Sequence, residues 1–288
     1  MKDNPDHQIC QSLLQKAVRR GCVDLIPRII DHLVSAGQLS WLQQRTAVIT
    51  FEECWPLGVQ LIPEPNPAEI TGILSRVAAS VKFKDATGLG SLAYHLSLGD
   101  SSVLSGYPDD DPIRDVMKAI QDPPTFWEWC RKSVDPFRQQ LVDNARYAFS
   151  EDGTPWDQAF KLAAGYLAVT SEIPETNENS AHICLEDGFP FWIAIDKHTD
   201  LGRSILKTVA SNLAMDPVVL GELFFYFAGV SENELTPSFW WQRELDWRFK
   251  RLGMIPTEAE KTWQNAAPVL HEALLKIEAD LKAHIHQH

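Results

Sequence analysis

The segment PWDQAFKLAAGYLAVT, residues 155–170, decides the fold class. It is rich in alanine, a strong helix former, and its apolar residues predict a helix that is buried in a core. Segments with helical spacing precede and follow it, and no long stretch alternates as a strand would. The sequence therefore predicts an all-α protein, a multi-helix orthogonal array with long polar loops.

Helical spacing and stop signals predict the remaining helices. They lie at 8–20, 24–36, 40–53, 68–84, 112–121, 124–132, 134–149, 200–213, 216–228, 237–252 and 257–284. Predicted N-caps are Ser40, Thr199, Asp216 and Thr236. The polar stretches 56–69 and 99–112 are predicted loops. We expect one helical domain over 1–288, which the linker at 171–180 divides into subdomains 1–170 and 181–288.

Composition narrows the function classes. The 288 residues carry a formal net charge of −13, which argues against indiscriminate binding of polyanions. No apolar run approaches the roughly 20 residues that span a bilayer, and the polar N-terminus lacks a signal peptide, so we expect a cytoplasmic protein without membrane contact. The five cysteines form no CxxC pair and are expected to be buried thiols.

The segment FWIAIDKHTDLG, residues 191–202, places reactive groups directly after an apolar run. Asp196 is the candidate catalytic carboxylate, and His198 the candidate proton donor or phosphate ligand. Thr199 is expected to cap the next helix, and Gly202 to let a phosphate approach that helix start. The alternative is a loop that only caps a helix.

Three further groups are candidates for contact with DNA or for catalysis. On residues 237–252, Trp241, Leu245, Phe249 and Leu252 share one helix face, which is typical of a core stripe. A second face interleaves indoles with cations, as nucleic-acid surfaces do. The nucleic-acid-binding candidates are Lys16, Arg19, Arg20, Gly202, Arg203, Trp240, Arg243, Trp247, Lys250 and Arg251. Glu52 and Glu53 oppose the helix dipole, which indicates a partner such as Arg45 or Arg19, or a supporting catalytic role. For each group, ordinary packing or solvated surface charge is the alternative.

Several familiar sites are missing from the sequence. It contains no GxxxxGK[ST], GxGxxG, HExxH or GxSxG pattern, so P-loop, Rossmann, zincin and serine-hydrolase chemistry are disfavoured. The spacings of His182, Cys184, Asp196 and His198 match no common zinc signature. We therefore expect no cofactor and no metal.

The stretches LLQKAVRRGCVDLIPRIIDHL (13–33) and WLQQRTAVITFEECWPLG (41–58) resemble the C-terminal helical region of the replication-associated recombination ATPases of the RarA/MgsA group. The resemblance covers about residues 8–60. Lys16, Arg19 and Arg20 match the basic part of that pattern. Arg45, Glu52, Glu53 and Gly58 match the rest, although the family usually has Glu-Asp followed closely by glycine.

The resemblance implies a helical scaffold, oligomerisation and a DNA-associated role. Because the ATPase module that precedes this region in the family is missing here, ATPase activity is not expected. The chain is also similar in size and type to stand-alone antiviral DNA glycosylases of bacteria. An acid, an imidazole and tryptophans fit a glycosylase, which must stabilise an oxocarbenium-like sugar and hold an extruded nucleotide.

The leading hypothesis is therefore base excision from modified or foreign duplex DNA. One alternative is a non-catalytic, homo-oligomerising helical module. A metal-dependent hydrolase or nuclease is the other.

Overall fold

The computed structural model describes residues 5–108, 111–151, 153–177, 197–228 and 236–277. These residues form helices and connecting loops, with no strand among them, so the all-α prediction is confirmed. The helices are α1 Pro5–Arg19, α2 Leu25–Ser35, α3 Leu39–Glu53, α4 Pro67–Ala79, α5 Asp85–Ser97, α6 Pro112–Gln121, α7 Pro123–Ser133, α8 Pro136–Ala148, α9 Pro155–Thr170, α10 Asp200–Asn212, α11 Pro217–Leu223, α12 Phe239–Arg251 and α13 Pro256–Leu275. Short 3₁₀ helices lie at Trp55–Gln60 and Ser101–Leu104, and a π-helical segment at Phe224–Ala228.

The chain divides into two compact units that are not contiguous in sequence. Unit 1 takes its described residues from 1–42, 180–234 and 249–288, and unit 2 from 43–179 and 235–248. This division differs from the predicted split, because the first 42 residues group with the C-terminal region.

Helix α9 is the central helix of unit 2, as its composition predicts. It packs against α5, α6, α7 and α8, and ten of its sixteen residues are buried. Thr154 caps its first turn by accepting a hydrogen bond from the Asp157 N–H. Its small residues let the surrounding helices approach closely.

Helix α5 has no counterpart among the predicted helices. Its sequence, DATGLGSLAYHLS, contains two glycines and gives a weak helical signal. Eight consecutive residues, 86–93, are nevertheless buried. The glycines are needed for packing: a Cβ at Gly88 would lie 2.3 Å from the Trp240 backbone, and one at Gly90 would lie 2.7 Å from the Ala159 carbonyl oxygen. Tertiary contact therefore overrides helix propensity here.

Helix starts agree with the predicted caps at two of four positions. Thr199 accepts a hydrogen bond from the Gly202 N–H, and Asp216 accepts one from the Val218 N–H. Ser40 is wrong as a cap, because α3 already includes it. Thr236 is also wrong, since Ser238 Oγ accepts the hydrogen bond from the Trp241 N–H at 3.1 Å.

Unit 1 pairs α1 with α2 and groups α10, α11 and α13. The predicted helix at 216–228 changes register: α11 ends at Leu223 and continues as the π-helical segment. Stacked rings hold that segment, since Phe227 lies parallel to Phe249 and to Trp263 at 5.7 and 6.2 Å between centroids. A π-helical turn of this kind is rare and is frequent at functional sites.

The cysteines depart from the prediction at one position. Cys10, Cys54 and Cys130 are buried thiols, and burial raises the pKa of Cys54 and of Cys130 to about 12. Cys22 is instead disulfide-bonded, so the expectation of a thiol there is wrong. The absence of a CxxC pair does not exclude a disulfide bond at Cys22.

Within the described ranges, no helix is both long enough and apolar enough to cross a membrane.

Replacing Gly88 with alanine should destabilise unit 2. The added Cβ cannot lie 2.3 Å from the Trp240 backbone, so α5 and α12 must separate. We expect the free energy of unfolding to fall by about 2 kcal/mol or more in a denaturant titration. Gly72→Ala is the matched control, because Gly72 is exposed on α4 and its added Cβ would meet nothing within 4 Å. That variant should be neutral or about 0.5 kcal/mol more stable; equal effects would contradict the close-packing account.

Candidate functional site

Four basic side chains of unit 1 converge on the Phe225 ring in the π-helical segment. Lys197 Nζ lies 4.6 Å, Lys16 Nζ 5.2 Å and the Arg19 guanidinium 5.5 Å from the ring centroid. The His198 ring meets the same phenyl edge-to-face at 6.3 Å. We call Lys16, Arg19, Lys197 and His198 the cationic cluster. It joins the end of α1 to the segment that leads into α10.

Local helix geometry explains the α1 half of the cluster. Lys16 and Arg19 are three residues apart in the last turn and therefore lie on one helix face. Each is only 3% exposed. Burying cations is costly, and the electron-rich face of Phe225 offsets part of that cost. Both cations therefore lie at the end of α1 with little access to water.

The other half of the cluster carries a carboxylate. Lys197 Nζ donates to Glu222 Oε1 at 2.7 Å, and both side chains are about one-fifth exposed, at 21% and 19%. Glu222 lies on α11, directly before the π-helical segment. Lys197 thus contacts a carboxylate and the aromatic ring together, at the partly exposed side of the cluster.

A side chain caps the start of α10. The Gly202 N–H donates to Thr199 Oγ1 at 3.0 Å, and both residues are buried. Arg203 pairs with Asp200 and donates to the His198 carbonyl oxygen at 2.7 Å. The cap therefore takes the Gly202 N–H, and the approach of a phosphate to this helix start stays a prediction.

Asp196 lies outside the described residues, as do His182 and Cys184. His198 is described and belongs to the cationic cluster. Across the described part of the chain, no three His, Cys, Asp or Glu side chains form a group that could hold a metal ion.

Arg243 of unit 2 is a structural residue rather than a surface cation. It is 3% exposed and donates to Asp111 Oδ2 at 2.6 Å and to the Val103 carbonyl oxygen at 3.0 Å. Its guanidinium lies 3.3 Å from the Tyr107 ring centroid. The predicted contact of Arg243 with DNA is therefore corrected to a buried ion pair.

The other candidates on α12 divide by burial. Trp247 is buried, and its indole N–H donates to Ser102 Oγ at 2.9 Å, so it too is withdrawn from the predicted DNA face. Trp240 is half-buried, whereas Lys250 and Arg251 are exposed. The predicted core stripe is confirmed at Trp241 and Phe249.

Arg20 and Arg203 complete the predicted basic set. Arg20 follows α1 and is half-buried, and Arg203 is exposed on α10. Neither belongs to the cationic cluster.

Glu52 and Glu53 have cationic partners within unit 2. Glu53 Oε2 lies 2.9 Å from Lys84 Nζ, and both side chains are 1% exposed. Glu52 lies 3.9 Å from Arg45, one of its two predicted partners. These pairs explain how the end of α3 accommodates adjacent carboxylates.

Lys197 of the cationic cluster and the ring that the cluster surrounds, Phe225, were not among the candidates. Lys197 stands between Asp196 and His198, and the density of polar groups there was the available signal. Phe225 gave no such signal, because FFYF at 224–227 reads as ordinary core. The sequence pattern cannot show that basic side chains from two distant segments contact the same phenyl ring.

Comparisons of the chain with protein-family models, with curated proteins and with solved structures found no match. The resemblances named above therefore stay expectations.

Arg243→Ala should cost stability whether or not DNA is present. Removing the guanidinium leaves the Asp111 carboxylate, which is 4% exposed, without this ion-pair partner. We expect a loss of about 3–5 kcal/mol in the free energy of unfolding. Lys250→Ala, an exposed change on the same helix, should stay within about 0.5 kcal/mol. A similarly small loss of stability in both variants would indicate that Arg243 is a surface residue and does not form a buried ion pair.

Proposed function

We propose that the cationic cluster binds a phosphate group and that the phosphate belongs to DNA. The observation that supports this is the convergence of Lys16, Arg19, Lys197 and His198 on one ring in a protein of net charge −13. Because Lys16 and Arg19 are each 3% exposed, water screens their charges poorly, and a phosphate that approaches them is attracted more strongly than it would be in water. A phosphate is the polyanionic group that such a set of lysine, arginine and imidazole donors suits.

The reaction we propose is excision of a base. Asp196, the residue before Lys197, would stabilise the cationic sugar that develops as the glycosidic bond breaks. His198 would act as the general acid that donates a proton to the departing base. A flanking phosphate on Lys197 would hold the nucleotide in place. Enzymes of this kind act on a base extruded from the duplex.

The internal contacts of α12 favour a second function. Arg243 and Trp247 make internal contacts, so the predicted basic–aromatic DNA face loses two of its members. A non-catalytic module that binds a protein partner or a second copy of itself would need no such face. DNA binding and product analysis separate this proposal from the first.

DNA affinity should fall as Lys197 loses its charge. In fluorescence anisotropy with a labelled duplex, log K should decrease linearly with log salt. Lys197→Met should weaken binding and reduce the magnitude of the salt slope by about 1, the value for one phosphate contact. Lys197→Arg should retain most of the slope.

Lys207→Met is the matched control, because Lys207 is exposed on α10 outside the cluster. An equal loss of slope for Lys197→Met and Lys207→Met would show diffuse charge rather than a site. If the protein does not bind DNA at low salt, the DNA proposal is rejected, and the non-catalytic binding module remains as the proposed function.

Base excision should produce abasic sites that depend on Asp196. Duplexes carrying deaminated, alkylated or hypermodified bases would be incubated with the protein and cleaved by alkali at abasic positions. We expect Asp196→Asn to lower the rate at least about 100-fold, the usual contribution of a catalytic proton-transfer or charge-stabilising group. Its DNA affinity should be unchanged. Protein that binds DNA yet yields no abasic site on any duplex would exclude excision but not phosphate binding.

A further inference from the structure

The Lys197–Glu222 ion pair lies at the side of the cationic cluster that solvent reaches. The side chains of Lys197 and Glu222 are 21% and 19% exposed, and His198 beside them is exposed. Lys16 and Arg19, the other members of the cluster, are buried. A ligand from water therefore reaches the cluster at the Lys197–Glu222 pair.

The stem of Lys197 lies against α11, the helix that also carries Glu222. A Cβ added to Gly221 would be 3.6 Å from the Lys197 Cβ, which is ordinary van der Waals contact. Two residues after Lys197, Thr199 caps α10 and fixes where that helix begins. The fold thus places the ammonium of Lys197 within reach of the Glu222 carboxylate.

The ammonium of Lys197 has more donors than it uses in the protein. Of its three N–H groups, one donates to Glu222 Oε1 at 2.7 Å, and this is its hydrogen bond within the described ranges. The Phe225 ring, whose centroid is 4.6 Å from Nζ, covers another side of the ammonium. Lys197 can therefore donate to an oxygen of a ligand while it keeps its contact with Glu222.

The negative charge of Glu222 acts on whatever binds Lys197. Its second oxygen, Oε2, is buried and accepts no hydrogen bond from the part of the chain that the structure describes. Asp200, three residues after Lys197, pairs with Arg203 instead. Two oxygens that bind one ammonium nitrogen lie roughly 4–5 Å apart. A phosphate oxygen on Lys197 would consequently lie at about that distance from Glu222 Oε1.

We propose that Glu222 is the specificity-determining residue of the phosphate site and selects an internal phosphodiester over a terminal phosphate. This selection rests on the phosphate binding proposed above. A phosphodiester carries one negative charge, whereas a terminal phosphate carries nearly two at pH 7.5, because its second pKa is about 6.

The charge of the ligand decides how strongly Glu222 opposes binding. An anion loses hydration when it binds, and that cost grows with about the square of its charge, whereas its attraction to the lysine grows only linearly. Glu222 reduces this attraction, and the reduction is twice as large for a dianion. The pair therefore compensates the single charge of a phosphodiester better than the double charge of a terminal phosphate.

Ligand titrations compare the two classes of phosphate. Thymidine 5′-phosphate is a monoester, and its methyl ester is the matching diester with the same base and sugar. Binding of each would be followed at pH 7.5, in phosphate-free buffer, through the NMR resonances of the His198 ring, which is exposed beside Lys197. We expect the wild-type protein to bind the diester more tightly than the monoester.

Glu222→Gln tests whether the carboxylate charge causes this preference. The amide keeps an acceptor for Lys197, so affinity should rise about fivefold for each negative charge of the ligand, the size of a repulsion at about 4 Å in water. The preference for the diester should therefore shrink about fivefold. Glu222→Asp keeps the charge and should keep the preference. Glu272→Gln, the same change at an exposed position of α13 outside the cluster, is the matched control and should bind both ligands as the wild-type protein does.

The possible failures separate this proposal from phosphate binding itself. Unchanged affinities in Glu222→Gln would show that the ion pair only supports the fold and would overturn the selection, as would a wild-type preference for the monoester. In both cases a phosphate still binds, so the proposed function stands. Binding of neither ligand would also overturn the selection, and if duplex DNA does not bind either, the phosphate-binding function is rejected as well.

Discussion

The close approach of α5 to its neighbours is the constraint on which unit 2 depends. Gly88 lies against the Trp240 backbone of α12, and Gly90 against the Ala159 carbonyl of α9. A side chain at either position would push the helices apart by more than a hydrogen bond can stretch. The bond from Ser91 Oγ to Glu244 Oε1 at 2.9 Å, and that from Ser238 Oγ to Asp85 at 2.8 Å, form only at this separation.

The close approach of α5 and α12 determines which partners the charged side chains of α12 contact. Glu244 is 2% exposed and accepts hydrogen bonds from Ser91 and from Arg248. Arg243 points instead to Asp111. Glu244 and Arg243 can reach these partners in only one register of α12. A shift of the helix by one residue would therefore break the contacts and leave buried charges unpaired. The polar residues of this helix therefore specify its position, and a DNA-facing role for them would compete with that structural role.

The parts of the fold that follow from local rules were predictable. Alanine-rich α9 and the caps Thr199 and Asp216 depend on residues within a few positions of each other. Helical period also showed correctly that Arg243 and Trp247 share a face. It could not show that this face is covered, because Asp111 and Ser102 are more than a hundred residues away along the chain. Helix α5 was missed for the same reason: its glycines are unfavourable locally and required by packing.

The candidate site has the same mixture of local and distant causes. The density of polar groups at 196–200 was visible in the sequence. The cluster itself depends on Phe225, because side chains from that segment and from the end of α1 all contact its ring. The net charge of the chain repels DNA, so the proposed phosphate contact depends on attraction at short range, because physiological salt screens exposed charges that are more than about 8 Å apart. Lys16 and Arg19 are buried, whereas Lys197 and His198 are reached by solvent, so an anion would meet Lys197 and His198 first.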